Sequence, residues 1–186
     1  MIINETLSTI MARRSVRAYK PDPIPQDVLT AILDAGKAAP YVMPESRHFS
    51  VIRDRSMINR LSEDAKAEGM KLSDAHRELF GAPGFDGTYG APVVIVLSGM
   101  KDSVQYESVC AASVMNMLTA AKSLSIGSCW VYYPIFAFHG AAAGAWRGSL
   151  RIPDGYEPCA AVLLGYSAEE PAVGADDRYK NAITLV

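Results

Sequence analysis

Residues 92–98 read PVVIVLS, with five apolar side chains in succession and no polar residue between them. A strand with one face in water alternates apolar and polar side chains, so an unbroken run of this kind belongs to a central strand covered on both faces. That requirement commits the chain to layers on each side of a sheet. The second long apolar stretch, 104–126, is interrupted by Glu107, Asn116 and Lys122 and reads as a buried helix rather than a membrane span. With 186 residues, 49% of them hydrophobic and 20% charged, there is enough chain for one core of that design. Residues 1–186 are therefore read as a single domain.

The other elements follow from periodicity. Ile3, Leu7, Ile10 and Met11 keep a helical rhythm that runs into a basic cluster, and PDPIP (21–25) then forces an extended turn. Pro25 opens a second helix whose buried face carries Val28, Leu29, Ile32 and Leu33, and AAP (38–40) ends it. Phe49–Ile52 is β-prone, and Asp54 caps a helix reaching Gly69 with Met57, Ile58, Leu61 and Ala65 turned inward. A small helix near Ala75–Phe80 precedes the glycine-rich loop GAPGFDGTYG, after which come the central strand and the long helix from about Ser103 to Leu124. Strands are expected at Ser128–Tyr133 and Ala160–Leu164, with part of a short helix at Ala141–Trp146 between them. The tail from Ser167 is polar and ends in the weakly β-like AITLV. This order predicts a mixed α+β domain.

Composition excludes several functions. The formal net charge is -2, so no global basic field would hold nucleic acid or an anionic membrane, and anion binding must be local. The N-terminus lacks the charged and apolar regions of a secretory signal, and Cys110, Cys129 and Cys159 are widely spaced in apolar company, as suits reduced thiols in a cytoplasm. His48, His76 and His139 share no ligand spacing with one another or with the cysteines, so no metal site is expected. Phosphate-loop, dinucleotide and nucleophile-elbow motifs are missing. Cys129 lacks a basic neighbour in sequence and reads as packing rather than as a nucleophile.

The exception to this bland picture is MARRSVRAYK, which gathers Arg13, Arg14 and Arg17 around Ser15. Such a cluster is either a solvated helix C-terminus, where cations complement the helix dipole, or a phosphate clamp, in which guanidinium forks and a serine hydroxyl match phosphate oxygens. A turn at Ser15 would let Arg13 and Arg17 approach one anion from two sides.

RRSVRAYKPDPIP followed by a helix ending in AAP resembles the N-terminal signature of the FMN-dependent nitroreductase family. YGAPVVIVLSG is similar to that family's central strand, SVCAASVMNMLTAAKSLSIGSCWVYY to its long core helix and following strand, and IPDGYEPCAAVLLGYS to its late strand. The resemblance implies a nitroreductase-like α+β sandwich, a central mixed sheet flanked by helices, assembled as a homodimer with FMN at the subunit interface. A helix as apolar as 104–126 then has a partner subunit to cover part of it. The resemblance further implies that Arg13, Arg14, Ser15 and Arg17 bind the cofactor's phosphate and ribityl chain, with Arg17 also reaching the flavin. Arg178, in DDRYKN, matches the basic residue that the family often returns to the phosphate. Val131, Tyr132 and Tyr133 occupy the segment whose backbone lies against the ring and donates an N–H towards N5, and Tyr132 stands where the family often has an acidic residue. After AAP the family shows an Asn-x-Gln-Pro-Trp run that contacts the flavin of the neighbouring subunit. Here APYVMPESRHF is one residue shorter and has no tryptophan, leaving Pro40, Tyr41 and Val42 to approach through backbone groups and Ser46 or Arg47 to replace side-chain hydrogen bonds.

The implied activity is electron transfer from NADH or NADPH to a small electron-poor acceptor, such as a nitroaromatic or quinone, by a ping-pong route. The alternative is a flavin-binding protein that stores or senses FMN with little turnover.

Overall fold

The computed structural model describes residues 2–41, 43–169 and 184. Its centre is a four-stranded sheet in the order β1 (Arg47–Ile52), β2 (Val93–Met100), β4 (Tyr156–Gly165), β3 (Gly127–Val131). All three strand pairings are antiparallel. The sheet expected to be mixed thus owes its parallel component to an isolated bridge, Ser15 with Ser128 at its β3 edge.

The central run behaves as its composition demands. Val93, Ile95 and Leu97 enter one core with Ala160, Val162 and Leu164, while Val94 and Val96 enter the opposite core with Ala161 and Leu163. The first core is closed by α2 (Gln26–Lys37), which supplies Leu29 and Ile32, and by α5 (Tyr106–Ser123), which supplies Cys110, Val114, Met117 and Leu118. The second is closed by α3 (Arg55–Gly69) through Ile58, Leu61 and Ala65, by a 3-10 turn at Tyr133–Phe138, and by α6 (Ala143–Ser149) through Trp146. Among the described residues no helix is long and apolar enough to cross a membrane.

Caps mark where helices begin. Asn4 accepts from the Leu7 amide at 2.9 Å to start α1 (Glu5–Ala12), Asp54 accepts from Met57 at 2.8 Å to start α3, and Ser73 accepts from His76 at 3.3 Å to start α4 (Asp74–Gly81).

Three boundaries differ from the sequence reading, each for a local reason. Gln105 has a φ of 59°, so α5 starts at Tyr106 instead of Ser103. β3 ends at Val131 because the 3-10 turn begins at Tyr133, and Pro134 has no N–H to donate to a ladder. β4 extends back to Tyr156, past Pro158, which sits opposite Ser98 where the β2–β4 register shifts; an irregular position tolerates a missing donor. The apolar stripe of α1 is helical as expected, but none of its residues is buried in the subunit, and Leu7, Ile10 and Met11 remain 37–46% exposed.

Candidate functional site

Leaving α1 at Arg13, the chain becomes extended and joins the sheet edge: the Val16 amide donates to the Ser128 carbonyl at 3.0 Å, and the Tyr19 hydroxyl donates to the Val16 carbonyl at 2.8 Å. Val16 is buried and anchors the segment. A turn at Ser15, the condition for Arg13 and Arg17 to meet one anion from two sides, does not occur, because pairing with β3 keeps this stretch extended.

The consequence is a division of the arginines between two clefts. Arg13 and Arg14 line a cleft of about 200 Å³ together with Lys122, at the end of α5, and with Ser125, Gly127, Ser128 and Ser167. Arg17 lines a neighbouring cleft of about 410 Å³ with Phe85, Asp86 and Tyr89 from the glycine-rich loop and with Ala168. Cys129 on β3 is buried and lines neither cleft. Burial pushes its thiol up, while the charges of Arg17 and Arg13 and a side-chain hydrogen bond with Ser15 pull against that shift. A buried thiol held neutral in this way packs the site and offers no nucleophile.

Lys122 had not been assigned a role from sequence. Its signal was there, as a lone cation in the last turns of an otherwise apolar helix, but only the fold brings that turn beside Arg13.

Val131 is buried at the end of β3, and the chain then emerges so that Tyr132 is 48% exposed. Tyr133 and Tyr132 belong to an aromatic cluster: Phe80 meets Tyr133 at 5.4 Å and Phe136 at 5.6 Å, and Tyr132 meets Phe136 at 5.3 Å. His76 and His139 flank Phe136 in the same cluster.

Pro40 and Tyr41 lie exposed beyond the end of α2. Arg47 is committed to that helix end, donating to the Lys37 and Ala39 carbonyls at 3.2 and 3.1 Å and to Ser113 at 2.5 Å, with its guanidinium 5.5 Å from the Tyr41 ring centre. Ser46 is fully buried, and its hydroxyl has no hydrogen-bond partner among the described residues. These residues line neither of the arginine clefts. Val42 and Arg178 lie outside the described residues. Asn116, the conspicuous amide of the long helix, donates to the Ala35 carbonyl at 3.0 Å and so ties α5 to α2.

The sequence pattern of the Nitroreductase family matches residues 10–166, from the end of α1 through the last strand. The chain belongs to the nitroreductase family. Membership makes it an oxidoreductase. A protein of Archaeoglobus fulgidus, provisionally named NADH dehydrogenase/NAD(P)H nitroreductase, is 32% identical over 183 residues, covering 95% of this chain and 94% of the relative. Among solved structures, a Bacteroides fragilis nitroreductase with bound FMN is 34% identical with a TM-score of 0.85, covering 99% of this chain and 100% of that one. A Desulfitobacterium hafniense nitroreductase with bound FMN is 25% identical with a TM-score of 0.88 and the same coverage. The fold described above is therefore the nitroreductase fold, and the paired clefts lie within the matched residues but for their last contacts, Ser167 and Ala168.

Proposed function

We propose that this nitroreductase carries FMN in the paired clefts and uses it to pass electrons from NADH or NADPH to a small electron-poor acceptor such as a nitroaromatic or quinone. The observation that carries the reading is the donor set of the smaller cleft. Arg13, Arg14 and Lys122 surround serine positions and the Gly127 backbone in about 200 Å³, a space and chemistry that fit a phosphate monoester. The larger cleft, which continues past Arg17 to Phe85 and Tyr89, is amphipathic in the way a flavin ring is.

Each residue then has a task. Arg13, Arg14 and Ser15 would hold the phosphate, with Arg178 as a further cation from the tail. Arg17 would place positive charge along the pyrimidine edge of the flavin, where negative charge gathers on reduction. The backbone of Val131, Tyr132 and Tyr133 would support the ring and offer it an N–H. FMN, when bound, supplies the chemistry itself by accepting hydride from a reduced nicotinamide and yielding electrons to the acceptor. No catalytic side-chain triad is needed.

We assign Pro40, Tyr41 and Val42 to the flavin of a second subunit; Ser46, fully buried in its own subunit, has no exposed surface to offer that flavin. Pro40 and Tyr41 line neither arginine cleft of their own subunit, while Leu7, Ile10, Met11 and Met115 present apolar surface on α1 and α5 that a second copy would cover. Both site halves would be completed in a homodimer.

The test is anaerobic reduction. Purified protein should carry a yellow chromophore that NADH or NADPH bleaches and that menadione or a nitrofuran restores. Steady-state rates should give parallel double-reciprocal lines, as substituted-enzyme kinetics require. A colourless protein that takes up no added FMN would overturn the proposal, and bound FMN that neither nicotinamide reduces would favour storage instead.

A further inference from the structure

A further cavity, of about 450 Å³, opens where PDPIP (21–25) passes the end of β1 and the start of β2. Its walls are Pro21, Pro23, Pro92 and Tyr19, with the buried Ile24 and Val93 between them. Prolines set this shape in advance, since each holds its own φ and has no rotamers to order when a ligand arrives. The Tyr19 hydroxyl is bonded to the Val16 carbonyl, which leaves its ring as apolar surface.

Two cations complete the lining. Arg53, just past β1, donates from Nη1 to Gln26 Oε1 at 2.7 Å and from Nη2 to the Ile24 carbonyl at 3.2 Å. Arg55, the first residue of α3, donates from Nη1 to the Gly90 carbonyl at 3.0 Å. These bonds hold both guanidiniums at the cavity while leaving donors of each fork unused. No carboxylate takes those donors up: among the described residues neither arginine forms an ion pair. Asp54, between them in sequence, accepts from Ser56 and from the Met57 amide to cap α3, and Asp22 does not line the cavity. Uncompensated positive charge beside rigid apolar walls suits a flat ring that carries an anion.

We propose that this cavity binds a phosphorylated adenosine, with the base against the prolines and Tyr19 and a phosphate on Arg53 and Arg55. Two guanidiniums favour a phosphate over a carboxylate because it brings more charge and more acceptor oxygens. The three proline walls supply no N–H for a ring carbonyl, and adenine is the base without one. That chemistry has two sources, the adenosine end of NADPH and a free adenine nucleotide. Tyr19 also lines the Arg17 cleft, so the two spaces adjoin. Only the NADPH source rests on the reaction proposed above; the cavity itself does not.

Calorimetric titration of the FMN-loaded protein with adenosine 2′,5′-bisphosphate tests the site while cofactor fills the basic cleft. Binding should be saturable, and Arg53→Gln or Arg55→Gln, each keeping a donor for its carbonyl partner, should weaken it about tenfold. Arg53→Lys, which retains the charge, should recover most of the affinity and so separates lost charge from disturbed folding. Adenosine should bind at least about tenfold more weakly and should not respond to either Gln variant. Inhibition competitive with NADPH assigns the cavity to the donor, and saturable binding without competition assigns it to a free nucleotide; both uphold the site. No saturable binding, or binding that both Gln variants leave unchanged, overturns it. Failure of the flavin reading shows separately, as a colourless protein, and the same variants then locate the ligand on apoprotein.

Discussion

At the scale of single residues, Arg13, Ser15 and Arg17 act on one another's surroundings because an extended segment places alternate side chains on the same side. Although Arg13 and Arg17 line separate clefts, their charges and the Ser15 hydrogen bond all pull against the upward push that burial gives the Cys129 thiol. Replacing Arg13 with Ala should therefore weaken FMN by about 1.5–3 kcal/mol, the scale of a charge-assisted hydrogen bond, as read by fluorescence titration. Asp86 offers a second test with a definite sign. Burial alone would raise its pKa, but the hydrogen bonds from Thr88, Ser62 and Gly90 outweigh it and hold the carboxyl below its usual 3.8. A depressed pKa contributes stability that is present above 3.8 and lost as pH falls through the folded value. The stability difference between native protein and Asp86→Asn, followed by urea unfolding, should accordingly shrink as pH is lowered from 6 towards 3. A constant gap would contradict the hydrogen-bonded carboxylate.

Elements show what could be read in advance. β2 was legible because an uninterrupted apolar run has only one comfortable place in a sheet, and α3 because Asp54 and its inward stripe mark both its start and its face. What could not be read was tertiary. The straight path at Ser15 depends on pairing with Ser128, the left-handed Gln105 trims α5, and Lys122 joins the basic cleft only once α5 has crossed the sheet. The residues proposed to hold phosphate stand together as a motif in the sequence, whereas the Asp86 loop shows none, since its logic lies in hydrogen bonds to Ser62 on another element. Packing of α2 on α5 gives this scale its own test. A Cβ at Gly36 would lie 2.7 Å from Met117 Cγ and 3.3 Å from Phe49 Cε1. The steric cost of Gly36→Ala exceeds the helix-propensity gain, so the variant should be less stable by about 1 kcal/mol, with a lower urea midpoint and an unchanged slope.

For the molecule as a whole, the unresolved debt of the single subunit is its apolar surface. Ile3 is 66% exposed and Val104 75% exposed, and no residue of α1 is fully buried among the described residues. In the proposed homodimer that surface becomes interface, and the exposed Pro40 and Tyr41 reach the partner's flavin. Ile10→Glu should consequently yield a folded monomer by sedimentation equilibrium that has also lost its FMN; a variant that stays dimeric and yellow would argue against this face. The central claim, a cationic grip on the cofactor's phosphate, is tested most directly by comparing the affinities of FMN and riboflavin for apoprotein. FMN should bind at least about a hundredfold more tightly, and Arg13→Ala should close most of that gap by weakening FMN alone. Equal affinities for the two flavins, or a variant that weakens both alike, would contradict the account.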